Sequence, residues 1–158
     1  MSTRMRTSSV PVLLGLAMLA GCGGLGTGSD PAMITPASLD RLVNREWLLK
    51  TSTVDSQRVI MHVDATQTVL FGSDGRVTGF AGVNRFAGTY QFSPEGVLSY
   101  PAPGLITTRM AGPPELMEKE RAYLKGLAQV TRAIVAKNAL QLQSEDGATV
   151  LLFEQVGK

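Results

Sequence analysis

A chain of 158 residues, 44% of them hydrophobic, has room for one domain with a real core and not for two comfortable ones. Its formal charge of +2 includes Arg4 and Arg6, which fall in a segment read below as removed, and without them 13 acidic residues balance the remaining Lys and Arg. Those Lys and Arg are scattered from Arg41 onward without a run, so the electrostatic case for nucleic acid or an anionic membrane surface is excluded.

In chain order, Met1 to Arg6 is short and basic, and Val10 to Ala20 is an apolar run that ends in small residues. That is the pattern of a secretory signal peptide over residues 1–21, and the run falls short of the roughly 20 apolar residues a spanning helix needs. Leu19-Ala20-Gly21-Cys22 looks like a bacterial lipobox. In lipoproteins of that kind the peptide is cut before the cysteine, whose thiol carries a diacylglycerol and whose freed amine is acylated by a fatty acid such as palmitate. Cys22 is then a membrane anchor, because two or more acyl chains hold stably where one holds only marginally. Gly23, standing where aspartate favours inner-membrane retention, implies the outer membrane facing the periplasm in a Gram-negative cell. Acylation consumes the only cysteine and leaves the domain no internal disulfide and no thiolate ligand. The glycine-rich stretch Gly23 to Pro31 reads as a flexible tether, placed with Cys22 in residues 22–37.

From Ser38 to residue 156 the composition is that of a folded domain. Ser38 is expected to cap a brief helical turn through Leu39, Leu42 and Val43, and Trp47-Leu48-Leu49 to begin a strand. Strands are also expected at Val59–Val63 and Thr68–Phe71, followed by an Asp74-Gly75 hairpin turn into Val77–Phe80. Glycines at 79, 82 and 88 weaken a plain strand and suit a small, strongly bent sheet. Thr89–Phe92 and Val97–Tyr100 continue the meander. A helix is expected from Pro114 to Gly126, with Leu116, Met117, Tyr123, Leu124 and Leu127 toward the sheet and Glu118, Lys119, Arg121 and Lys125 toward solvent. Val130–Val135, Ala139–Leu142 and Val150–Phe153 close the chain as strands. The fold class is α+β, mainly β: a compact, curved antiparallel sheet of short hairpins with one helix packed across it.

With those pieces in place, the chain from Leu39 to Gln155 resembles the META domain, the family that includes the heat-shock protein HslJ. The resemblance rests on Trp47-Leu48-Leu49, on Phe71 to Gly79, on Gly82-Val83-Asn84-Arg85-Phe86-Ala87-Gly88-Thr89-Tyr90, on Thr107-Thr108-Arg109-Met110-Ala111, and on the last two strands. It implies a small β-rich fold with a helix, carried on an envelope lipoprotein, with a role in stress or drug tolerance. Many members carry cysteine where this chain has Val83 and Gly112, so a bridge there, if those cysteines pair, is lost as a unit.

Reactive chemistry is sparse. His62 is the only histidine, too little for a zinc site, and neither a calcium loop, a nucleophile elbow nor a phosphate cradle is written in the chain. No metal or other cofactor is expected. Asn84, Arg85, Thr107, Thr108 and Arg109, the polar residues inside the two best-matching motifs, either satisfy bent backbone or border a small binding surface at one end of the sheet. The expected partner is another envelope component, protein or small ligand, with the membrane reached through Cys22. The alternative is an envelope hydrolase using His62 with a carboxylate.

Overall fold

The computed structural model describes residues 30–59 and 66–157. Strand β1 (Ala32–Met33) and a 3-10 turn (Pro36–Arg41) lead into β2 (Glu46–Val54) and β3 (Gln57–Val59). Then come β4 (Thr68–Phe71), β5 (Arg76–Phe80), β6 (Arg85–Thr89), β7 (Gln91–Phe92), β8 (Leu98–Ser99) and β9 (Ile106–Thr107). Helix α1 (Pro114–Gln129) precedes β10 (Arg132–Ala136), β11 (Ala139–Gln143) and β12 (Val150–Gln155). The main sheet is antiparallel in the order β1-β10-β11-β12-β2-β4-β5-β6-β9, with β3 on β2, while β7 and β8 form a separate ribbon. It is mostly β, curved around one core and not closed into a barrel.

Alternation sets which face is buried. Val69, Phe71, Val77 and Phe86 point inward with Leu140, Leu142, Leu151 and Phe153 from the other half of the sheet. Trp47 is fully buried, and its indole N–H donates to Leu42 O at 3.1 Å. In β2 the buried parity switches from Trp47 and Leu49 to Ser52 and Val54. The register against β12 passes from Leu49 to Thr51 while β12 advances one residue, so Lys50 is the extra residue of a bulge. That insertion bends the longest strand and carries it around the core. Gly79 serves the same curvature: it pairs with Phe86 across the ladder, and a Cβ there would collide with the Phe86 ring and Thr68 O. An aromatic ring thus occupies the space a side chain would have taken.

Several boundaries differ from those expected. Within the stretch assigned to the tether, Ala32–Met33 pairs with β10 and Ile34 is fully buried, so the ordered chain begins ahead of Ser38. Ser38 is not the cap: the turn starts at Pro36, and Ser38 Oγ accepts the Thr35 N–H at 3.0 Å. The strand expected at Val59–Val63 is described only as Gln57–Val59; the rest, His62 included, lies outside the described residues.

Helix α1 runs through Gly126 to Gln129, because that glycine is a point of close approach and not a stop. A Cβ at Gly126 would lie 3.2 Å from both Leu151 and Val54 side chains. Tyr123 and Leu127 are buried as expected, while Leu116, Met117 and Leu124 are half-buried. Glu118, Arg121 and Lys125 face solvent, and Lys125 pairs with Asp55 of the β2–β3 turn. Lys119 departs from that group: it is half-buried, with its ammonium nitrogen shielded from solvent.

Candidate functional site

Two neighbouring features arise from the signature stretch Gly79 to Tyr90, one inside the sheet and one outside. The turn between β5 and β6 is closed by Ala81 N–H donating to Asn84 O at 2.7 Å, which directs the Asn84 side chain inward. Asn84 is 2% exposed and Glu120 of α1 is 5% exposed. Glu120 Oε2 accepts the backbone N–H groups of Val83 at 3.1 Å and Asn84 at 2.6 Å, and Oε1 accepts Asn84 Nδ2 at 2.8 Å. Asn84 Nδ2 also donates to Met110 O at 3.1 Å, while Oδ1 accepts Thr108 Oγ1 at 2.8 Å and Met110 N at 2.7 Å.

Every donor and acceptor of the Asn84 amide is therefore used, as a buried polar group requires. The hub ties three segments together: the β5–β6 turn, the irregular segment following β9, and the helix. Glu120 was not among the expected site residues. Its signal was available, since Leu116, Glu120, Tyr123 and Leu127 share one helical stripe, and a carboxylate inside an apolar stripe demands buried donors.

Outside, the opposite face of β4, β5, β6 and β9 carries a groove of about 770 Å³. Leu70, Phe80, Ala87 and Ile106 supply apolar surface, and Ile106 is 60% exposed. Arg85, Thr107 and Thr108 line one part and Glu46 another. Arg85 and Thr108 are held in register by Thr108 N–H donating to Arg85 O at 3.0 Å and Arg85 N–H donating to Thr108 Oγ1 at 3.2 Å. Arg85 is exposed and makes no ion pair among the described residues.

Of the five polar residues singled out from sequence, four come together here. Asn84 faces the interior, Thr108 serves both the hub and the groove, and Arg85 and Thr107 line the groove. Arg109 is exposed and stands outside the groove. Cys22 and His62 lie outside the described residues, and among those described no cluster of His, Cys, Asp and Glu is arranged to hold a metal ion.

The META domain family matches residues 40–157. The chain belongs to the META domain family. An NMR structure of a protein from Burkholderia xenovorans is 28% identical with a TM-score of 0.63, and the likeness covers 82% of this chain and 93% of that one. The crystal structure of a DUF4847 family protein from Bacteroides vulgatus is 14% identical with a TM-score of 0.54, covering 76% of this chain and 98% of that one, which is a likeness of fold alone. No functionally curated protein matches.

The two positions at which the resemblance places cysteines are adjacent in this META domain. A Cβ built on Gly112 lies 3.4 Å from Val83 Cβ, close to the roughly 3.5–4.5 Å separation of disulfide-linked residues. The same Cβ would lie 2.7 Å from Val83 Cγ2, so with valine in place the partner position must remain glycine. Van der Waals contact occupies the site.

Proposed function

We propose that this META protein is a non-catalytic envelope lipoprotein, anchored through Cys22, whose domain binds another envelope component through the outer groove and serves stress or drug tolerance. The observation that carries the reading is the groove: exposed Ile106 with half-buried Leu70 and Phe80, beside Arg85, which has no ion pair among the described residues, held rigidly because the strands beneath them are pinned by the Asn84–Glu120 hub. Apolar surface flanked by an aligned cation is a recognition arrangement and performs no chemistry by itself. The lipobox-like residues before Cys22 support the anchor.

A photoreactive residue at Ile106 tests the groove in cells. A discrete adduct, lost in Arg85→Glu and retained in Arg109→Ala, is expected; equal labelling in both variants overturns the groove. Cys22→Ser should abolish incorporation of labelled fatty acid, and persistent labelling removes the anchor.

A further inference from the structure

On the other side of β9 lies a second recess of about 510 Å³, bounded by β8, β9, the start of β10 and the flank of α1. It is the seam of the sheet. The order ends at β9 on one side and at β1, which covers part of β10, on the other, and Thr107 of β9 and Thr131, just before β10, both line the resulting gap. Leu98 N–H donates to Thr131 O at 2.7 Å and holds β8 against the start of β10, at the base of the gap.

Leu98, Leu105, Leu124 and Val130 make the wall apolar, and among the described residues no Asp, Glu, Lys or Arg lines it. Tyr100 and Thr131 also belong to the wall. Their hydroxyl oxygens are shielded from solvent, and neither has a hydrogen-bond partner among the described residues. Buried hydroxyls are nearly always satisfied in native proteins, so two in one wall call for an acceptor the chain does not supply. A phenol is a neutral donor at physiological pH, and burial pushes that of Tyr100 further above its ordinary range.

We propose that this seam binds a small, uncharged, mostly apolar molecule bearing a carbonyl-type acceptor, toward which the shielded hydroxyls of Tyr100 and Thr131 turn to donate. Three observations select that class. The volume falls within the span of small-molecule sites. The lack of ionic side chains in the lining disfavours a charged ligand, which would be desolvated without a counter-charge. The available polar groups are hydroxyls without an acceptor. The site is independent of the groove, which lies across β9 and has a cation at its edge.

The test uses the full chain, labelled with nitrogen-15 and titrated with 6-acetyl-2-dimethylaminonaphthalene, a neutral apolar ketone whose emission shifts to the blue in an apolar site. One-to-one binding is expected, with amide shifts centred on Ser99, Leu105, Ala128 and Thr131. Tyr100→Phe and Thr131→Val, which preserve shape, should each weaken binding about fivefold, or roughly 1 kcal/mol. Ala128→Trp, at an exposed helical position on the rim, should block it while leaving the fold intact. No binding at millimolar ketone overturns the proposal, as do shifts centred on the groove. Unchanged affinity in both hydroxyl variants overturns it too, and so does loss of thermal stability in both without ketone binding, which would assign the hydroxyls to structural water.

Discussion

The hub and the seam bury polar groups a short distance apart and treat them in opposite ways. Around Asn84, a side-chain amide, a carboxylate, a hydroxyl and four backbone groups satisfy one another. Around Tyr100 and Thr131, two hydroxyls are shielded and left unanswered. The difference teaches where the fold is finished: a satisfied network fixes one geometry, whereas unsatisfied donors beside a recess mark a place the chain alone does not complete.

The harshest way to break the comparison is to empty the hub. Asn84→Ala should cost about 3 kcal/mol in urea unfolding, because it leaves Glu120 and the Met110 backbone short of partners. Glu120→Ala should cost a similar amount, and the double variant much less than the sum, since both substitutions break one network. Additive costs would show that the two residues act separately. Next in size is a covalent replacement for the contact beside the hub: Val83→Cys with Gly112→Cys should form a disulfide under oxidation and add about 2 kcal/mol, reversed by dithiothreitol. Failure to oxidise would refute the Cβ geometry.

The seam side is sharpened by alkali. Burial raises the phenols of Tyr100 and Tyr123, the latter donating to Thr68 O at 3.1 Å. With the folded pKa above the unfolded value of about 10, the folded state holds those protons more tightly. Stability is therefore whole below about pH 10 and declines as pH rises past it. Absorbance at 295 nm should show phenolate forming together with unfolding; free titration of all three tyrosines near pH 10 in folded protein would contradict their burial. The finest contrast pairs two hydroxyl deletions. Thr108→Val should cost about 1 kcal/mol because Asn84 Oδ1 loses a donor, whereas Tyr100→Phe should cost nothing or gain a few tenths. Equal costs would erase the distinction.

Much of the fold was legible because it is local. The Asp74-Gly75 turn, the alternating strands and the proline-led helix follow from neighbouring residues, and the structure has them. What was hidden depends on distant partners. Gly126 reads as a helix end until Leu151 and Val54 are seen against it, and Ala32–Met33 reads as tether until β10 is alongside. The site was half legible for the same reason. Motif membership pointed to Asn84, Arg85, Thr107 and Thr108, but only the helix position of Glu120 shows that Asn84 turns inward while Arg85 lines the outer groove. Tyr100 and Thr131 carried no local signal, because their significance is a missing partner.

The bulge at Lys50 and the gap between β9 and the β1–β10 edge together make the sheet a hoop with a single cut. A closed barrel cannot change girth without shearing a ladder of backbone bonds; a cut hoop can, because its ladders travel with the strands they join. Widening this ring loads the Leu98–Thr131 bond before it loads any paired strand. The domain's mechanical compliance is thereby concentrated in one line along its wall.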